Sequence, residues 1–141
     1  MMTLKRRNRS ARRGQAMVEL ALALPIFFLI LFGLIDLGRA VFVYNSLSEG
    51  AREGARYGSV QARAFNDTTR DAIEAHVVGL LDGVPNPTVD ASCTPKGVFG
   101  CTVNDILMVR AEADVSMITP IIGQIVGTLH IEARSEAVVN N

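Results

Sequence analysis

The sequence predicts an α+β protein: a long N-terminal helix whose first half is apolar enough to cross a bilayer, then a small domain of one further helix on a short antiparallel sheet. Three observations predict it. Leu20 to Ile35 is an unbroken run of sixteen residues without a charge or a hydrogen-bonding side chain. Beyond it, apolar residues recur at intervals of three and four, the period of a helix with one buried face. After Pro87 the period drops to two, the mark of half-buried strands. A chain of 141 residues has material for one small core and an anchor. The expected organisation is a basic leader over 1–14, an N-terminal helix over 15–62 with a transmembrane segment over about 16–37, and an extracytoplasmic α+β domain over 63–141.

The leader is defined by charge. Net charge is zero over the whole chain, yet all six charges before Gly14 are positive (Lys5, Arg6, Arg7, Arg9, Arg12, Arg13). The remaining residues carry eight basic against 14 acidic side chains, a formal charge of −6. A basic arm of this kind suits nucleic acid, but the apolar run behind it argues for a membrane. Twenty helical residues from Ala16 to Ile35 cover roughly 30 Å, the hydrocarbon thickness of a bilayer. Lys and Arg beside a span stay on the cytoplasmic side. Everything after about Leu37 is then expected outside, anchored in a bacterial inner membrane as a single-pass protein, with the lipid bilayer as its first partner.

Pro25 lies in the apolar run, where a membrane helix tolerates it with a slight bend. Helical spacing continues through Leu37, Val41, Tyr44, Leu47, Ala51, Ala55 and Gly58. Within that stretch Glu49-Gly50-Ala51-Arg52 is followed by Glu53-Gly54-Ala55-Arg56. The period of four sets Gly50, Gly54 and Gly58 on one helical line with Ala51 and Ala55 beside it, and lets Glu49 pair with Arg52 and Glu53 with Arg56. Each glycine costs about 1 kcal/mol in a helix relative to alanine. Three at this spacing point to close approach by the protein's own sheet or by a neighbouring helix.

A second helix is capped by Asn66 or Asp67, with apolar positions Ala72, Ile73, Val77, Leu80 and Leu81, and it ends at Gly83, Pro85 and Pro87. A weaker strand is expected over Thr88 to Cys93. Val109, Ala111, Ala113, Val115 and Met117 alternate with polar residues, as do Leu129, Ile131 and Ala133, giving two clear strands in a sheet of two to four. Thr119 to Gly127 is apolar but too short to span, and reads as a loop or helical turn closing one end of the sheet.

Cys93 and Cys101 enclose Thr94 to Gly100, where Pro95, Gly97 and Gly100 supply turn chemistry. Outside the cytoplasm such a pair is expected to form a disulfide, worth about 2–3 kcal/mol in the chain-entropy account. Catalysis has little footing: there is no Gly-rich phosphate loop, no His/Cys group at metal spacing, and only His76 and His130. No enzyme activity, cofactor, metal or small-molecule substrate is expected. His130 is expected to be solvated on a strand's polar face, and His76 has no evident partner.

The junction before the span is more specific. Gly14-Gln15-Ala16-Met17-Val18-Glu19 places a glycine at the end of a basic leader and a carboxylate five residues later, which resembles the prepilin cleavage signature. A carboxylate at membrane depth costs up to a few kcal/mol and is a functional candidate by default. Its economical partner is an amine, which cleavage between Gly14 and Gln15 would create, and pairing the two would fix the axial register of subunits in a bundle.

Arg13 to Pro25, the apolar run, Asp36-Leu37-Gly38-Arg39 and Ala51-Arg52-Glu53-Gly54-Ala55-Arg56-Tyr57 together resemble the opening of a TadE-like protein, closely from Gly14 to about Val60. The resemblance implies a minor pilin or pseudopilin of the tight-adherence branch of type IV pilus machinery. Such a subunit is processed by a prepilin peptidase and works with other pilins or pseudopilins and the pilus assembly platform. Leu20 stands where the major Flp pilin has tyrosine, and the chain is longer than that subunit, which disfavours a major pilin. A different class remains open: a membrane-anchored or secreted cell-surface binding protein with no filament role. In its secreted form Leu20 to Ile35 is a signal-peptide core cut after Ala40.

Overall fold

A computed structural model of the chain describes residues 9–61, 65–94, 101, 104–119, 123–124 and 127–139, with side chains from Gly14 onward. The leader charges Lys5, Arg6 and Arg7, the helix boundary at 62, the turn residues Pro95, Gly97 and Gly100, and Pro120, Ile121, Ile122, Ile125 and Val126 lie outside the described residues. The elements run α1 (Arg9–Gln61), α2 (Asp67–Leu80), β1 (Thr88–Thr94), β2 (Ile106–Ser116) and β3 (Thr128–Val138). The architecture is α+β, with one antiparallel sheet in the order β1-β2-β3.

At 53 residues, α1 extends about 80 Å. It begins inside the basic leader, five residues before Gly14, and runs unbroken through Pro25. Its two halves have different surroundings. From Gly14 to Ile35 nearly every residue is exposed, whereas from Asp36 onward one face is buried under the rest of the chain. That face carries Asp36, Val43, Leu47, Gly50, Ala51, Gly54, Ala55, Gly58 and Ser59. The expected stripe is corrected at its start: Leu37, Val41 and Tyr44 are exposed. The true inward line runs one residue earlier, about 100° around the helix, through Asp36, Ala40 and Val43.

Asn66 caps α2, its side-chain Oδ1 accepting from the Thr69 amide at 2.8 Å. The helix buries Ile73 and Val77, and Leu81 at its C-cap, against α1; Ala72 and Leu80, expected on the apolar face, are exposed. Ala72 lies about 100° around the helix from Ile73; Leu80 shares the Ile73 side but is the last helical residue, where Leu81 at the C-cap takes the inward position. Gly83 turns the chain in the left-handed region, φ +80°. Glu74 ties α2 to the sheet, its Oε1 accepting from the Ala91 amide at 3.2 Å.

Leu107, Val109, Ala111, Ala113 and Val115 form the buried face of β2. Register sets Ala91 beside Val109, Ala133 beside Ala111 and Ile131 beside Ala113. Gly54 and Gly58 of α1 meet Val109 and Leu107 of β2, and their missing side chains let helix and sheet come close together. Both longer strands extend past the expected alternation, β2 back to Ile106 and β3 on to Val138.

Candidate functional site on the N-terminal helix

The residues singled out by sequence fall into three places along α1. At its start, Gly14 is exposed, and a side chain built there would meet nothing within 4 Å. Nothing in the fold requires glycine at this position. One turn further on, Glu19 is exposed and makes no hydrogen bond or ion pair among the described residues. Gln15 lies four residues before it on the same helix, the spacing at which side chains share a face roughly 5–6 Å apart. The helix from Gly14 is long and apolar enough to cross a membrane, and none of its most apolar eighteen-residue window is buried by the rest of the chain. Exposed apolar surface of that extent marks an interaction with lipid or protein.

The second place is the junction at Asp36, which sequence reasoning passed over. Its side chain is only 4% exposed. The carboxylate accepts from the Ile118 amide at 2.9 Å, the Thr119 amide at 3.0 Å and the Thr119 hydroxyl at 2.7 Å. Arg39, one turn along, lies 3.8 Å from the same carboxylate and donates to the Ser116 carbonyl at 3.1 Å. The end of β2 is thus clamped to α1 where the apolar run stops. A lone carboxylate closing an apolar run, with arginine three residues later, is the signal that could have found it.

The third place is the glycine line. A Cβ on Gly50 would come 2.8 Å from Leu81 Cδ2; on Gly54 it would collide with Val77 and lie 3.2 Å from Val109; on Gly58 it would collide with Leu107 and lie 2.9 Å from Ile73. The close approach is made by both α2 and the chain's own sheet, with Ala51 and Ala55 fully buried beside it. Of the two expected ion pairs only Glu53–Arg56 forms, bidentate at 2.7 and 2.9 Å; Glu49 and Arg52 are not within ion-pair distance. Hydrogen bonding to Arg56 holds the Glu53 carboxyl below its ordinary value.

His76 has a partner that was not expected, and His130, exposed on the polar face of β3 as expected, has carboxylates beside it. His76 stacks on Tyr57, ring centroids 4.3 Å apart and planes 16° from parallel. His130 is paired: Nδ1 lies 2.9 Å from Asp114 and Nε2 3.2 Å from Glu112. The hydrogen bond to Asp114 is the main cause that raises its pKa. Strand register brings Glu112, His130 and Glu132 within 4.8 Å of one another, a grouping with metal-ligand character that sequence spacing did not show. Arg110 sits 2.8 Å from Glu132 and 3.3 Å from Glu112. It supplies the positive charge that a cation would bring, so the group works as an ion-pair lattice. The Cys93–Cys101 disulfide is formed, with Cα atoms 5.9 Å apart, and closes the chain between β1 and β2.

No curated protein and no solved structure gives a significant match to the chain. The family model described as TadE-like protein matches residues 14–56, under a third of the sequence. Over that stretch, from the glycine before the apolar run to the second Glu-Gly-Ala-Arg unit, the N-terminal helix is similar to that family.

Proposed function

We propose that this chain is a non-catalytic, single-pass subunit that takes part in assembling a tight-adherence type IV pilus: a minor pilin or pseudopilin anchored in a bacterial inner membrane, basic end inside and α+β domain outside. The observation that carries the proposal is the surface of α1 from Gly14 to Ile35: apolar, exposed, and marked by one carboxylate, Glu19, that no described residue neutralises. Lipid satisfies the apolar surface and the basic leader sets its direction. The carboxylate needs an amine. A prepilin peptidase cutting after Gly14 supplies one at Gln15, in the same chain or a neighbouring subunit, and a helix packed among other pilins then exchanges lipid for protein with the charge pair fixing its height.

The Asp36 junction supports keeping the span in the mature protein. A signal-peptide cut after Ala40 would remove Asp36 and Arg39, whose bonds hold the end of β2. The absence of any neighbour around Gly14 fits a glycine read by an enzyme, and not one demanded by packing.

The test is the N-terminus of the protein isolated from membranes, by intact mass and N-terminal sequencing, for wild type and Gly14→Val. The expected results are a chain beginning at Gln15 and an uncut variant. A mature chain beginning at Val41, or equal processing of the valine variant, would contradict the proposal.

A further inference from the structure

The end of β2, at Ile118 and Thr119, stands where α1 leaves its apolar run. Ile35 is the last residue of that run and Asp36 the next, and Asp36 holds the backbone of Ile118 and Thr119 directly against the helix. Building on the membrane-spanning reading of α1, we propose that the chain leaving β2 at Ile118 and Thr119 enters the interfacial region of the outer leaflet, making a second point of contact between the domain and the lipid.

Composition supports it. From Ser116 to Thr128 the sequence carries no charged residue, whereas both strands leading into it alternate with Arg, Glu, Asp or His. Ile118, beside the helix, has 56% of its surface exposed although it faces the end of an apolar span. In water such a position is normally polar; at the headgroup boundary an isoleucine gains from burial.

Backbone satisfaction removes the usual objection. Irregular chain is excluded from lipid because its amides lack partners. Here the Ile118 and Thr119 amides donate to Asp36, the Gly123 amide to the Thr119 carbonyl at 2.7 Å, and the Gly127 amide to the Gly123 carbonyl at 3.0 Å. The Thr119 hydroxyl also donates to Asp36. These four amides are therefore paired within the protein. The occupant that fits an exposed isoleucine on hydrogen-bonded backbone beside the end of an apolar span is lipid.

The chain contains no tryptophan, so single tryptophans report depth without background. The full-length protein in lipid nanodiscs would be made as Ile118→Trp, as Ile30→Trp within the span, and as Val138→Trp. The last is exposed and pairs with Ile106 at the far end of the sheet, roughly 35 Å away along the strands. Lipids brominated near the headgroup end of the acyl chain are expected to quench position 118 more than lipids brominated mid-chain. Its emission should be blue-shifted relative to position 138, which neither lipid should quench. In the wild-type protein, shallow spin-labelled lipid should broaden the Thr119 and Gly127 amides in NMR spectra. Emission and broadening at 118 and 119 that match position 138, with position 30 quenched by the deeper bromines, would overturn the lipid contact and leave the span intact. No quenching at position 30 would overturn both.

Discussion

The Asp36 carboxylate and Thr119, 83 residues apart, are joined by two hydrogen bonds of 3.0 and 2.7 Å, from the Thr119 amide and hydroxyl. This contact makes one mechanical unit of the apolar half of α1 and the α+β domain. A lateral or axial shift of the span is transmitted to the sheet through a buried, charge-assisted contact, and Arg39 braces it from the next turn of the helix.

Asp36→Ala should therefore loosen the end of β2 while leaving the fold in place. The expected effect is an increase of roughly tenfold or more in hydrogen exchange at the Ile118 and Thr119 amides, the worth of a hydrogen bond to a charged group. The Val139 amide, which donates to Asp105 at the opposite end, should keep its protection. Equal changes at both ends would mean that Asp36 acts through global stability.

The glycine line gives a graded prediction. At Gly54 a methyl meets Val77 and Val109, short branched side chains held between helix and sheet. Overpacking there costs about 1–3 kcal/mol, against about 1 kcal/mol gained in helix propensity. Gly54→Ala should lower stability by up to about 2 kcal/mol. At Gly50 a methyl is tight only against the end of the Leu81 side chain, which can swing aside, and touches Val77 at an ordinary 3.4 Å, so Gly50→Ala should be near neutral. Gly79→Ala has nothing within 4 Å and should stabilise by up to about 1 kcal/mol. Thermal unfolding of the full chain in detergent checks the order.

The ion-pair lattice on the open face of the sheet has a definite pH sign. His130 is raised above its ordinary 6.5, first by its hydrogen bond to Asp114. Its contribution to stability is full below that ordinary value and fades as pH rises through the raised one. Glu53, lowered from 4.5 by Arg56, runs the other way: its contribution holds above 4.5 and fades as pH falls through the lowered value. Asp114→Asn should bring the His130 titration, followed by NMR, back toward 6.5 and flatten the loss of stability as pH rises from 6.5 through the raised value. An unchanged His130 titration would assign the shift to Glu112.

Much of the fold was legible because its signals are local. Asn66 caps, Ile73 and Val77 repeat, and β2 and β3 alternate; each is set by neighbours within one or two turns. The weak strand at Thr88 was legible for the same reason. What was missed depends on contacts between elements distant in sequence. Where α1 leaves its apolar run, Leu37, Val41 and Tyr44 continue the apolar pattern on the wrong side, because the inward face there is marked by a carboxylate satisfied from Ile118 and Thr119. His130 is solvated as expected, but its pairing was hidden because Glu112 and Asp114 arrive only through strand register. The glycine line was legible as close packing, but which surfaces approach it is decided by the placement of α2 and β2.

Glu19 remains the residue on which the proposed function turns. A carboxylate that only reaches to the headgroups is harmless in a lone helix, and replacing it with leucine makes the span more apolar. A carboxylate paired with the Gln15 amine in a bundle is different, because its loss leaves the amine buried and unpaired. The most direct measurement is co-purification or crosslinking of Glu19→Leu with partner pilins from membranes, with Glu19→Gln isolating the charge from the shape. The account predicts that both variants are cut after Gly14 and inserted like wild type, yet recover few or no partner subunits. Recovery of partners by Glu19→Leu at wild-type levels would contradict it and leave α1 as a plain membrane anchor.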